Sequence, residues 1–558
     1  MGKPLIINRT FGIECRKIIF LKERIKSMTS ESIFILLSII AYLGITVGIG
    51  VYYSKKGSAS DTAGFYLGGR GLNPIVTAMS AEASDMSSYL LMGLPGLAYL
   101  AGVAEVGWTV IGLAAGTYLN FLFVAKRLRV YSETIGANTV PQFFSKRYDD
   151  RRNTLSCLAA VVILIFFIPY TASGFKAVGT LFNSLFGWDY HLAMVLGAVV
   201  IIGYTVMGGF MAVSTTDLIQ SIVMTLALCI IIVFGISCAG GLGTVINNAR
   251  ELPGYLNLSQ GYDAATGTAG SFGVLPVIST LAWGLGYFGM PHILLRFMAI
   301  RNPEEIKISR RIASVWALLS MLVAVFIGII GYSVSVAGEI PFLTTGSESE
   351  TIIICLANLM GKNGVFFAIV AGIIMAGILA ATMSTADSQL LAASSSMSED
   401  LLRDFLHIKM DDKTSMKVAR GTVVAIAIIA LFLAWNPNSS VFRVVSFAWA
   451  GFGAAFGPVM ILALFWKKST RGGATAGMFA GGAMVFIWKF LIAPMGGAFA
   501  IYELLPAFVV ALLVDVVVSK LTFEPAKEIQ DTFDLVVKKC KDGNSAEYAD
   551  AKLANAEL

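Results

Sequence analysis

The chain has 558 residues, of which 56% are apolar and only 14% charged. Its mean hydropathy is +0.76, and a soluble globular protein carries about 25% charged residues. A soluble chain this long would split into domains that need polar surfaces. The composition therefore excludes a soluble multidomain enzyme, a disordered chain and a fibre. It requires a polytopic protein embedded in a lipid bilayer. The net charge of +6 does not point to nucleic acid, because the positive residues lie in short connections between apolar runs. The six cysteines form no CxxC pair and the three histidines do not cluster, so no metal motif is read. No nucleophile–base set supports an enzyme.

Thirteen apolar stretches follow one another, each fit to cross a ~30 Å hydrocarbon core as a helix. They centre on 33–53, 74–99, 103–125, 155–178, 190–208, 218–240, 273–295, 312–337, 363–395, 417–434, 440–466, 474–496 and 502–520. Lys and Arg collect in alternate connections: Lys55, Lys56 and Arg70 in the first, a cluster between 126 and 152 in the third, another between 296 and 311 in the seventh. The positive-inside rule then places these connections and the tail from 522 in the cytoplasm, and the N-terminus outside, in a cell membrane. Residues 1–27 are basic and conflict with that placement. They are expected to be a disordered extension or an artefact of the start site. The alternative is a cytoplasmic leader with a different topology for the first span. Residues 28–521 form the transmembrane unit.

Two spans are interrupted by polar residues, Gly and Pro at mid-membrane depth. The second contains Glu82, Asp85, Ser87, Ser88 and Pro95; the seventh contains Trp283, Gly284, Gly286, Tyr287, Gly289 and Pro291. Unwound backbone at that depth is tolerated only where it lines protein or a watery cavity. Each interrupted span opens a set of five helices, at about 74–240 and 273–466. Two such sets with opposite topology are the pattern of an inverted-repeat secondary transporter.

Asp85 is the sharpest residue. A carboxylate in mid-span costs roughly 2.5–3.5 kcal/mol on insertion scales, so it needs a cation, a substrate amine or donors. The alternative is a structural acid capping a half-helix. Glu82 sits one turn earlier on the same face, either functional or on a solvated face. The ninth span carries Ala381, Ser384 and Thr385 on one face, followed by Asp387. Hydroxyls and a carbonyl suit a hard monovalent cation, although single Ser or Thr residues often bond back one turn. Trp283, Tyr287 and Pro291 recur every fourth residue, and Tyr170 follows Pro169; packing competes with binding for these. The GxGxxG match at 284–289 is rejected because no strand precedes it.

These residues carry a resemblance to the sodium/solute symporter family, over about 33–520. It rests on the runs Tyr66–Pro74, Ala83–Ser87, Leu90–Gly96, Gly208–Val213, Thr216–Asp217, Trp283–Gly289, Pro291–His292, Arg296–Ile300 and Met383–Thr385. The resemblance implies a LeuT-like all-α fold and co-transport of sodium without an organic cofactor. It places sodium on the backbone oxygens of Ala83, Met86 and Ala381 and the hydroxyls of Ser384 and Thr385. Within the family the proline-transporting branch is the nearer match, which implies L-proline as the small-molecule substrate. Proline is then held by Tyr170, Trp283, Tyr287 and Pro291 with Asp85 nearby, and Ser87 lies beside that acid. Asp217 resembles an acid on the sodium path; its other reading is an N-cap for the sixth span, with Gln220 completing a capping box. Glu82, Ser88, Met290 and Asp387 depart from the family pattern. Another amino acid, an osmolyte or a carboxylate remains the alternative substrate, and a channel or sensor the alternative class.

Overall fold

The computed structural model describes residues 29–55 and 62–542. The extension 1–27, Lys56 and the final stretch 543–558 lie outside them. The described chain is almost wholly helical. Helix α1 spans Ser30–Lys55. The second span is α2 (Pro74–Asp85), a π-helical turn (Tyr89–Gly93) and α3 (Leu94–Ala101). Then come α4 (Val103–Leu119), which runs on in helical form to Thr134, α5 (Thr154–Phe186) and α6 (Tyr190–Cys238). The seventh span is α7 (Val274–Leu281), a 3-10 segment (Ala282–Gly289) and α8 (Pro291–Ala299), bent by 47°. The remainder are α9 (Ile306–Val336), α10 (Ile352–Gly361), α11 (Val365–Ser395), α12 (Asp412–Leu433), α13 (Val441–Phe465), α14 (Arg471–Ile487), α15 (Leu504–Leu521) and α16 (Lys527–Asp542). A small antiparallel hairpin, β1 (Gln260–Asp263) with β2 (Thr268–Ser271), lies in the connection before α7.

Among the described residues, ten helices are long and apolar enough to cross a membrane, or eleven if the bent pair is one span. The expected thirteen are not reached by that measure. The second span is split at its break into pieces of 12 and 8 residues around the π turn. The fifth, Tyr190–Gly203, is short, and it is not separated from the sixth by the expected loop at 209–217. Those residues are helical except Gly209, whose backbone (φ 63, ψ −173) leaves helical geometry, so two helices meet there at a kink without a loop. A positive φ with extended ψ is open to glycine at no steric cost.

Among the described spans α13 and α11 are the most enclosed by protein, with α5 next, whereas α1 and α6 pack against α11 and each other from the outside. Glycines let the seventh span approach its neighbours. A Cβ on Gly284 would fall 2.2 Å from the carbonyl oxygen of Gly112 in α4. A Cβ on Gly286 would fall 1.9 Å from Trp449 Nε1 in α13. Small residues at helix crossings are how membrane helices reach close packing without a hydrophobic driving force. Gly284→Ala is therefore expected to destabilise the folded protein by about 1–3 kcal/mol. Gly203→Ala, whose Cβ meets nothing within 4 Å, serves as the control and leaves stability unchanged or slightly raised. Thermal unfolding in detergent compares the two.

Candidate functional site

The break in the second span follows from local hydrogen bonding. Asn73 starts α2 as N-cap: its side chain accepts from Ile75 N at 3.0 Å and Val76 N at 2.9 Å, with Pro74 at the first helical position. At the other end Met86 N still donates to Glu82 O at 2.7 Å. Ser87 N then turns back to Asp85 O at 2.8 Å instead of continuing to Ala83 O. Met86 sits outside helical geometry (φ −73, ψ 65). The last carbonyls of α2 thus lose their helical partners in the middle of the bundle.

The ninth span meets one of them. Ser384 Oγ lies 2.7 Å from Ala83 O and 3.2 Å from Ala381 O, and Thr385 Oγ1 lies 3.2 Å from Ala381 O. Ser384 can serve the carbonyl of Ala83 and Thr385 that of Ala381, so four oxygen atoms converge with two hydroxyl hydrogens among them. Four of the five residues expected to hold sodium are gathered here. Met86 joins the group only through the chain, three residues beyond Ala83.

Asp85 is fully buried at the break. Its Oδ2 accepts a hydrogen bond from the Tyr287 hydroxyl of the 3-10 segment. Tyr170 of α5 reaches the backbone oxygen of the same residue at 3.4 Å. Ser87 Oγ accepts from Tyr89 N at 3.3 Å, so it shapes the turn after the break. Asn120 Nδ2 donates to Tyr287 O at 2.9 Å and fixes the 3-10 backbone. Of the expected substrate group, Asp85, Tyr170 and Tyr287 are brought together. Pro291 opens α8 one turn past Tyr287. Trp283 stands one turn further out, apart from Asp85. Its carbonyl accepts from Trp449 Nε1 at 2.8 Å, and its ring stacks on Tyr502 at 5.1 Å and 23°. Trp449 in turn meets Tyr287 edge-on at 5.1 Å.

Trp283 also lines a cavity of about 560 Å³ with Phe442, Tyr502, Glu350 and Arg443. Glu350 holds one wall of it. Its carboxylate accepts from Val441 N and Phe442 N, each at 3.1 Å, at the start of α13, and from Lys176 Nζ at 3.4 Å. A carboxylate at a helix N-terminus is favoured by the macrodipole.

Below Asp85 lies a second buried group. Asp217 Oδ2 accepts from Ser80 Oγ at 2.6 Å, Ser84 Oγ at 3.2 Å and Arg296 Nη2 at 3.2 Å. Arg296 also donates to Ser388 Oγ at 2.5 Å and Ser80 Oγ at 3.0 Å. Ser388 lies one turn past Ser384 and 2.9 Å from Ser84 Oγ, so the two polar groups adjoin. Two sequence readings are corrected here. Asp217 is not an N-cap, because it lies well inside α6, eight residues beyond the kink. Arg296 is not a loop charge, since it is 1% exposed and ion-paired. A single arginine at the end of an apolar run was the signal for such an acid partner. Ser80, Ser84 and Ser388 carried no signal beyond being polar in a span.

A helical membrane bundle with two broken helices at the heads of two sets of five, and a buried acid at one break, is the architecture of a secondary transporter. The chain belongs to the sodium:solute symporter family, whose model matches residues 65–481. A sodium/proline symporter of Staphylococcus aureus (strain USA300 / TCH1516) is 39% identical over 505 residues, covering 89% of this chain and 94% of that protein. The protein of the same name in strain JH9 is equally similar at 39%. In structure the chain resembles a substrate-bound, outward-open Na+-coupled sialic acid symporter, with a TM-score of 0.72 and 18% identity, covering 88% of this chain and 99% of that one. A nucleobase-cation-symport-1 family transporter in a closed conformation gives a TM-score of 0.51 at 15% identity over 84% of this chain and 98% of its own. The fold is thus the LeuT-like one, and the protein is a sodium-coupled symporter.

Breaking one side of a buried ion pair costs about 3–5 kcal/mol, whereas replacing both sides by apolar residues is often neutral. Arg296→Met is therefore expected to lower thermal stability strongly, and Arg296→Met combined with Asp217→Leu to recover most of the loss. Unfolding midpoints of the two variants in detergent check this.

Proposed function

We propose that this symporter couples inward sodium flow to the uptake of L-proline by alternating access. The observation that carries the reading is the meeting of Ala83 O, Ala381 O, Ser384 Oγ and Thr385 Oγ1 next to a buried acid and aromatic hydroxyls. The similarity to sodium/proline symporters over most of the chain supports the choice of substrate.

The chemistry of proline suits the site. It is a zwitterion with an apolar ring and a secondary ammonium. The faces of Trp283 and Tyr287 suit the ring, and Asp85 with the Tyr170 and Tyr287 hydroxyls suits the ammonium. The N-terminus of the half-helix opened by Pro291 suits the carboxylate. Sodium would be held by the carbonyls of Ala83, Met86 and Ala381 and the hydroxyls of Ser384 and Thr385. It would bridge the broken helix to α11, so closing the site around one ligand favours the other, which is the coupling. Asp217 and Arg296 lie beyond Ser388, on the route we assign to sodium leaving the site. The alternate connections rich in Lys and Arg would face the cytoplasm and the N-terminus the outside. In that orientation the cavity above Trp283 is the external vestibule. The repeats are assigned to 74–240 and 273–466.

The driving force is sufficient. About 2.3 kcal/mol from ~100 mV and ~1.4 kcal/mol from a tenfold gradient support roughly several hundredfold accumulation for one ion per substrate. A related small solute would use the same fold. It is separated by competition: unlabelled L-proline should suppress labelled L-proline uptake at lower concentration than other amino acids, betaines or carboxylates do. Ser384→Ala and Thr385→Ala are each expected to raise the sodium concentration for half-maximal uptake at least tenfold while the protein still folds. An unchanged sodium requirement in both would sink the ion-site assignment.

A further inference from the structure

Arg310 belongs to none of the groups described so far. It lies four residues into α9, a helix of 31 residues and about 46 Å. That length exceeds the ~30 Å hydrocarbon core. With Glu304, Lys307 and Lys126 gathered at its start, the first turns of α9 stand at headgroup depth. The Arg310 guanidinium sits over the ring of Tyr118 in α4, with Cζ 5.2 Å from the ring centroid. Its Nε is shielded from solvent without a hydrogen-bond partner, and so is Ser314 Oγ one turn further along α9. An arginine that only snorkels to water would keep its whole head wet.

The charges around it do not balance within the protein. The connection 296–311 holds two acids. Glu304 is shared by Lys126 and Lys307, and Glu305 takes Arg301. Among the described residues no acid pairs with Arg310 or with the exposed Arg311. Deeper in the membrane, Ile111 of α4 and Val315, Leu318 and Leu319 of α9 are open to the bilayer. A cation and a hydroxyl at headgroup depth, with an apolar wall below them, match a ligand that carries a phosphate at one end and acyl chains at the other. Guanidinium binds phosphate through paired, charge-assisted hydrogen bonds. Basic pockets between spans take anionic headgroups.

We propose that Arg310, Tyr118 and Ser314 form a binding site for one anionic phospholipid. Its phosphate lies on the guanidinium and its acyl chains follow the seam between α4 and α9. The site does not depend on which solute is carried; it rests on the chain's residence in a bilayer. The lipid ties a helix of the first five-helix set to a helix of the second.

The test uses the full-length protein, purified in detergent and stripped of lipid. Dioleoylphosphatidylglycerol and dioleoylphosphatidylcholine are titrated in turn, and bound lipid is counted by native mass spectrometry. One phosphatidylglycerol per molecule is expected to bind about fivefold more tightly than phosphatidylcholine. Arg310→Gln removes the charge and is expected to weaken phosphatidylglycerol by about fivefold while leaving phosphatidylcholine unchanged. Lys520→Gln, at an exposed lysine near the end of α15, should behave as the wild type. Equal binding of the two lipids, or an Arg310→Gln protein indistinguishable from Lys520→Gln, would overturn the proposal. So would full displacement of the lipid by an equal concentration of inorganic phosphate, which would make this a site for a soluble anion. Should Arg310→Gln not survive purification, Tyr118→Leu is measured in its place. It removes the ring beneath the guanidinium, and the same comparison with Lys520→Gln decides.

Discussion

A polar backbone interrupted inside a membrane has to find partners within the protein, and the account of this chain depends on how the break at Asp85–Ser88 finds them. Ser87 N turns back onto Asp85 O, which leaves Ala83 O without its helical donor. The hydroxyl of Ser384 comes from another helix to meet that oxygen. The same geometry that would be a defect in a continuous helix brings oxygen atoms of two helices together. The helix break and the link between two parts of the bundle are therefore one structural event.

Charge is distributed by the same logic. Asp217 is matched by Arg296, and Glu350 by Lys176 together with the N-terminus of α13. These pairs tie neighbouring helices together without leaving net charge in the hydrocarbon region. Among the described residues the Asp85 carboxylate has a phenolic donor, Tyr287, which holds it in place without cancelling its charge.

Much of this was legible in the sequence because membrane physics leaves few alternatives. Polar residues and Gly within two apolar spans located both broken helices. Ala381, Ser384 and Thr385 were placed on one face by spacing, and the structure brings Ser384 of that face against Ala83. What was not legible depended on tertiary proximity or on one backbone angle. Gly209 replaces an expected loop by a kink, and no pattern in 209–217 distinguishes the two. Arg296 looked like a loop charge because charge near a span end fits both readings, and only its pairing with Asp217 decides. The serines joining Asp217 to Ser388 come from separate helices, so their convergence is invisible along the chain. The thirteen-span count rested on hydropathy, which does not record how the break divides the second span or how short the fifth is.

Reciprocity between sodium and proline tests the central claim most directly. Sodium binding to the purified protein is measured with and without saturating L-proline, and proline binding with and without saturating sodium. If both occupy one site closed by the broken helices, each ligand must raise the affinity of the other by the same factor, about 5–150-fold. Sodium affinity that does not respond to proline, in protein that binds both, would contradict the account.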